Sequence, residues 1–155
     1  MKQGIWKYVL AGLLFAILIF VVSCATPYKP LSITGGFSEV KIQEGMYKVY
    51  FKGNAYIGEE RIRNYTLYRC AEITLENHYQ YFIILEDNIS ERKGYITDTN
   101  KYGSNTYEYK KLTGGYTIQC FADKPETNKT IYNAKEIKKN LSPYINEAKS
   151  RSCFL

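Results

Sequence analysis

Apolar and polar positions alternate over residues 38–43, with Val40 and Ile42 on one face and Glu39, Lys41 and Gln43 on the other. Residues 46–52 alternate again, Tyr47, Val49 and Phe51 opposing Lys48, Tyr50 and Lys52. A period of two marks a half-buried strand, and Glu44-Gly45 between the runs is a short turn, so the stretch predicts a β-hairpin. The period then lengthens. Gly58-Glu59-Glu60 opens a helix with two acids at the positive end of its dipole. From Thr66 onward Leu67, Tyr68, Cys70, Ala71, Thr74 and Leu75 fill a broad arc, while Arg61, Arg69, Glu72 and Glu76 fall on a narrow one. A helix with so narrow a polar stripe lies flat on a sheet. Asn77-His78 ends it, and the unbroken apolar run Tyr81-Phe82-Ile83-Ile84-Leu85 predicts a central strand covered on both faces.

Residues 87–112 are polar and tyrosine-rich with almost no aliphatics. They predict an exposed loop, at most a loose hairpin from residues 93–97 to 106–109. Gly114-Gly115 restarts order, and Tyr116 to Phe121 is another strand. Thr34-Gly35-Gly36-Phe37 and Thr113-Gly114-Gly115-Tyr116 look alike, but four residues are too few for a duplication, and each simply launches a strand. After a loop at 125–129, Asn133 with Glu136 three positions on resembles a capping box. Ala134, Ile137 and Leu141 form the apolar stripe of that helix, and Ser142-Pro143 is expected to stop it. The expected fold is one α+β domain. It has a small antiparallel or mixed sheet of about four strands, one long helix packed across it, and a short C-terminal helix.

The start of the chain follows a different pattern. Lys2 and Lys7 precede fourteen uncharged residues, Val9 to Val22. As a helix that run spans about 21 Å at roughly 1.5 Å per residue, short of a hydrocarbon core of roughly 30 Å. Its length suits the apolar region of a secretory signal. It ends in Val21-Val22-Ser23-Cys24. An aliphatic residue three before a cysteine, with a small residue just before it, is the lipobox read by lipoprotein signal peptidase. Small residues let the peptidase reach the bond, and the Cys24 thiol takes up diacylglycerol; an N-acyl chain (palmitate is typical) completes the anchor. One acyl chain binds marginally and two or three bind durably. Ala25, rather than an acid, follows Cys24, which points to the outer membrane, with the domain facing the periplasm. The expected organisation is a signal peptide over 1–23, a lipidated tether over 24–34 stiffened by Pro27 and Pro30, one domain over 35–145 and a loose tail over 146–155.

Removal of Lys2 and Lys7 takes the formal charge from +6 to +4, a value that suits an anionic surface but equally serves solubility. Lys110-Lys111 and Lys138-Lys139 are isolated pairs, so nucleic acid is not an expected partner. With Cys24 lipidated, three cysteines remain. That odd count permits one bridge, Cys70 with Cys120 or Cys120 with Cys153, beside one free thiol. Their spacing matches no zinc pattern and His78 is the only histidine, so no metal and no other cofactor is expected.

Candidate chemistry is thin. His78 sits at a helix end beside Tyr79 with no serine or cysteine motif nearby, and reads as a structural substitute for glycine. Glu86 and Asp87 follow the central strand, and as two adjacent residues they point apart. Sixteen tyrosines invite glycan stacking, yet most alternate with polar residues, which favours sheet packing. No catalytic residues are expected.

Several stretches resemble a small proteobacterial lipoprotein family. They are Gly-Gly-Phe-Ser-Glu at 35–39, Tyr-Lys-Val-Tyr-Phe-Lys-Gly-Asn at 47–54, Leu-Tyr-Arg-Cys-Ala-Glu-Ile-Thr-Leu-Glu at 67–76, Tyr-Gln-Tyr-Phe at 79–82 and Tyr-Asn-Ala-Lys-Glu-Ile-Lys-Lys-Asn-Leu at 132–141. The resemblance covers most of 24–141 and implies location and fold, with no assigned activity. Against the family pattern, Gly58 replaces a serine, His78 a glycine and Cys70 an alanine. The expectation is therefore a membrane-anchored, non-enzymatic envelope protein with a structural or protein-interaction role. The alternative is a lipoprotein that binds peptidoglycan or another glycan through its tyrosine-rich loop.

Overall fold

The computed structural model describes residues 26–101 and 103–151. The signal segment, the lipobox Val21, Val22, Ser23 and Cys24, and Cys153 all lie outside the described residues. The fold is α+β, a curled antiparallel sheet with two helices. In chain order it runs β1 (Gly36–Gln43), β2 (Met46–Lys52), α1 (Glu59–Glu76), β3 (Tyr81–Asp87), β4 (Ser90–Asn100), β5 (Gly103–Phe121), β6 (Ile131–Asn133) and α2 (Ala134–Arg151). The strands lie in the order β1-β2-β5-β3-β6, with β4 paired to β5 beyond that path.

The sheet has six strands where about four were expected. One addition is β6, three residues too short to show a period, which pairs with β3 just before Asn133 starts α2. The other is β4. Residues 90–100 and 103–113 form a regular ladder in place of a loop, with eleven pairs from Ser90↔Thr113 to Asn100↔Gly103, and the expected hairpin of 93–97 with 106–109 lies within it. Alternating apolar residues do not reveal this ladder, because both of its faces meet water. Neither is β3 the central strand: β5 occupies the middle and separates β3 from β2.

The Tyr47, Val49 and Phe51 face of β2 meets Tyr116, Ile118 and Cys120 of β5, then Phe82 of β3. Helix α1 covers this face with Ile62, Tyr65, Tyr68, Cys70, Ala71 and Ile73, all buried. The helix can come close because Gly114 has no side chain; a Cβ there would stand 2.4 Å from Ile62 Cγ2. Buried hydroxyls on the same helix bond back to their own turn, Thr66 to the Ile62 carbonyl at 2.7 Å and Thr74 to the Cys70 carbonyl at 2.7 Å. Helix α2 begins under the Asn133 cap, whose Oδ1 accepts from the backbone N–H of Lys135 at 3.0 Å and Glu136 at 3.2 Å. It then continues through Pro143 to Arg151, so residues 146–151 are helical rather than a loose tail. On both sides of the proline, Leu141, Tyr144 and Ile145 pack into a cluster with Phe51, Ile57, Ile62, Tyr65 and Tyr68. That burial offsets the lost backbone hydrogen bond.

In β1 the expected faces are exchanged. Val40 and Ile42 are exposed, while Phe37 packs inward beside Phe51 and Glu39 turns to the helix side. A one-residue change of register exchanges the two faces of a strand, and here the Phe37↔Phe51 pair decides it.

Two substitutions test these local features. His78 follows the Asn77 C-cap at φ 64, a left-handed conformation that costs an L-residue roughly 1–2 kcal/mol, against roughly 0.5–1 for the extra freedom of glycine in the unfolded chain. His78→Gly should therefore raise the urea midpoint by an amount equivalent to about 0.5–1 kcal/mol with an unchanged m-value. The Tyr47 hydroxyl is buried without a hydrogen-bond partner. An unpaired buried hydroxyl costs about 1–3 kcal/mol, so Tyr47→Phe should leave stability unchanged or increase it. A loss above about 1 kcal/mol in the same titration would point to an unrecognised partner for that oxygen.

Candidate functional site

Two features stand apart from the core: the point where the chain enters the fold, and the hairpin of β4 with the first half of β5. The entry point is more ordered than a tether. Thr26 is 1% exposed. Its backbone N–H donates to Asn54 Oδ1 at 3.3 Å, its Oγ1 accepts from the Asn54 N–H at 2.9 Å and donates to the Thr34 carbonyl at 3.1 Å. The Tyr56 N–H bonds the same Asn54 Oδ1 at 3.1 Å, so the connection after β2 and the Ser32–Gly35 turn both converge on one threonine. Residues 29–37 then double back, with Leu31 N–H on the Phe37 carbonyl, Phe37 N–H on the Lys29 carbonyl and a Ser32–Gly35 turn. Gly36 at φ 133 permits the close approach, since a Cβ there would lie 2.4 Å from the Lys29 carbonyl oxygen. Residues 26–34 are thus part of the folded body, a correction to the tether reading. The prolines were legible, but the distant partner Asn54 was not.

Tyr28 completes the docking. Its ring packs edge-on against Tyr65 and Tyr68 and tilted against Phe37. Its hydroxyl donates to Glu72. Arg69 lies beside it with a side chain only 12% exposed, paired to Glu39 at 3.0 Å, Glu72 at 3.0 Å and Glu76 at 2.9 Å. Its guanidinium stacks over Phe37 at 4.7 Å. The sequence places Arg69, Glu72 and Glu76 on a solvated stripe. In the structure they form a hub that ties the entry segment, β1 and α1 together.

The hairpin has two unlike faces. One carries Glu91, Lys93, Tyr95, Thr97 and Thr99 opposite Leu112, Lys110, Glu108, Thr106 and Ser104, with Tyr95 67% exposed. Lys93 directly faces Lys110, and diagonal pairs relieve the repulsion: Lys93–Glu108 at 3.3 Å and Lys110–Glu91 at 3.1 Å. Hydroxyl pairs Thr97–Thr106 and Thr99–Ser104 continue the ladder. The opposite face presents Arg92, Ile96, Lys111, Tyr109 and Tyr107. Ile96 and Tyr107 are direct cross-strand partners and each is 59% exposed. Tyr109 lies over Gly94, and the Lys111 ammonium sits 5.4 Å from the Tyr109 ring. One face is laced by ion pairs and hydroxyl pairs around an exposed Tyr95, and the other gathers Ile96, Tyr107 and Tyr109 beside Arg92 and Lys111.

The other sequence candidates take structural roles. Asp87 accepts from Arg63 at 2.9 Å, while Glu86 accepts from Thr117 at 3.1 Å and Asn88 at 3.3 Å, so the two carboxylates diverge. Cys70 and Cys120 belong to one core cluster as free thiols, and Cys120 contacts the Thr74 hydroxyl at 3.4 Å. Among the described residues no three His, Cys, Asp or Glu side chains converge as a metal site, and no helix is long and apolar enough to cross a membrane. Compared with known protein families, curated proteins and solved structures, the chain matches none.

Burial raises the pKa of the Cys70, Cys120, Tyr65 and Tyr116 side chains, and that of Tyr28 further through its hydrogen bond to Glu72. A group whose folded pKa lies above its unfolded value binds its proton more tightly when folded. Stability is then complete below the ordinary values, 9.0 for the thiols and 10.0 for the phenols, and falls as pH rises beyond them. The urea midpoint should accordingly be flat from neutrality to about pH 8 and drop steeply above the ordinary thiol range. A midpoint still unchanged two pH units higher would contradict this account.

Proposed function

We propose that the protein is a lipid-anchored lipoprotein of the bacterial outer membrane, facing the periplasm, whose domain has a non-catalytic, protein-interaction role. The location rests on the lipobox Val21-Val22-Ser23-Cys24, and on Ala25 after it. The motif resemblance over 24–141 supports the same location. The observation that carries the interaction role is the hairpin of β4 and β5. Ten steps of strand at about 3.4 Å reach about 34 Å, far more than the core needs. Residues 103–111 pair with β4 alone, so their outer edge is open, and the face with Arg92, Ile96, Tyr107, Tyr109 and Lys111 meets solvent. Tyrosine and arginine are enriched at the centres of protein interfaces.

The same residues also favour a second reading, the binding of peptidoglycan or another glycan, since tyrosine rings stack on sugars and cations pair with their acidic groups. Photo-crosslinking in intact cells separates the two. A benzoylphenylalanine at position 96 or 107 should give one dominant protein adduct, absent from Cys24→Ala cells, and a probe at 93 or 97 should give little. Adducts to glycan, together with salt-resistant pelleting on purified cell wall, would shift the role to ligand binding. An adduct that persists undiminished with Cys24→Ala would show that the anchor is not part of the role.

A further inference from the structure

The residues around Thr26 form an exposed apolar surface that the interior does not use. Ile33, at the tip of the Ser32–Gly35 turn, is wholly exposed; Leu31 is 51% exposed and Tyr56 60%. Hydrogen bonds tie the backbone at Ile33 and Tyr56 to Thr26, and that of Leu31 to Phe37. The Thr34 carbonyl next to Ile33 accepts from Thr26 Oγ1, and Asn54 Oδ1 accepts from both the Thr26 and Tyr56 N–H groups. Exposed apolar side chains scattered singly are ordinary, whereas several gathered around one hydrogen-bonded point mark a surface for contact.

Covalent geometry identifies what does so. Only Ala25 stands between Cys24 and Thr26. Two trans peptide links of about 3.8 Å hold the Cys24 Cα within about 8 Å of the Thr26 Cα. A cysteine that carries acyl chains sits at the bilayer surface, so the Thr26 rim has no slack with which to leave it. We infer that Leu31, Ile33 and Tyr56 are a second, non-covalent membrane contact that seats in the interfacial region of the bilayer and holds the domain in one orientation. The inference rests on the lipoprotein reading and adds to it a built contact with lipid. A tyrosine with one apolar and one polar end suits the headgroup level, and two aliphatics beside it contribute buried area to that of the acyl chains.

The sequence contains one tryptophan, Trp6, which lipoprotein processing removes. An Ile33→Trp variant, lipidated in cells and reconstituted into phosphatidylethanolamine–phosphatidylglycerol vesicles, therefore reports from position 33 alone. Because Ile33 touches no core residue, the substitution leaves the fold intact. The expected result is a blue-shifted emission that loses most of its intensity when the lipids carry brominated acyl chains. Thr127→Trp, in the exposed loop after β5 at the other end of the sheet, should be quenched by aqueous iodide and not by bromolipid. If position 33 is quenched by iodide and not by bromolipid while the protein still floats with the vesicles, the inference is overturned and the lipoprotein reading stands. A blue shift that ignores bromolipid and grows with protein density would assign the patch to a second copy of the chain, and overturn it equally. Protein that fails to float and retains Trp6 would overturn the reading beneath both.

Discussion

Strand β5 is the constraint on which the rest of the structure depends. Its residues 113–119 form a ladder with β2, residues 116–121 form one with β3, and residues 103–113 form one with β4. Neither β2 nor β3 can complete a core without it, because α1 joins them and leaves a gap one strand wide between them. The two strands run parallel to each other, each antiparallel to β5. Pairs such as Met46↔Gln119 close loops of some seventy residues, which is entropically costly. The Tyr116, Ile118 and Cys120 face buried under α1 is what offsets that cost. Folding should accordingly be limited by the arrival of β5, since long-range pairing is slow.

Arg69 does for the entry segment what β5 does for the sheet. A guanidinium can meet several carboxylates at once and still stack on a ring. Here it joins Glu39 of β1, Glu72 and Glu76 of α1 and the Phe37 ring. Glu72 accepts in turn from Tyr28. Loss of one partner from a fully buried pair costs about 3–5 kcal/mol, a figure that partial exposure of Glu39 and Glu76 reduces here. The hub therefore explains why a segment with two prolines and few aliphatics is held to the domain at all.

How much of this was legible in the sequence depended on where each partner lay. The β1–β2 hairpin, α1 and the Asn133 cap follow from patterns within a few residues, and each is present. His78 in a left-handed conformation was legible from its place after the helix. What failed depended on distant or solvent-facing groups. The exchange of faces in β1 is set by Phe51 and Arg69, neither within ten residues of Val40. Packing of Thr26 needs Asn54. The full length of the β4–β5 ladder has no buried face to reveal its period, so only its 93–97 and 106–109 portion was read, and Pro143 looks like a stop because burial of Tyr144 and Ile145 is invisible in the sequence. For the candidate site, the rim around Thr26 and the unlike faces of the hairpin depend on distant or solvent-facing groups and could not be read.

The two surface features are also linked in space. Gly53 N–H bonds the Leu112 carbonyl at 3.0 Å, and Lys52 pairs with Thr113, so the root of the hairpin lies beside Asn54 and therefore beside Thr26. The hairpin leaves the sheet from the end at which the chain enters. On the lipoprotein reading, a domain seated at that rim would carry its hairpin close to the bilayer rather than out into the periplasm. The Arg92, Ile96, Tyr107 and Lys111 face would then meet partners that are themselves at the membrane surface. Anchoring would restrict the search for such a partner to two dimensions, and the fixed rim would restrict its orientation. Effective concentration rises under both restrictions with no added contact. A modest interface of a few aromatic and cationic side chains is then sufficient for a specific association.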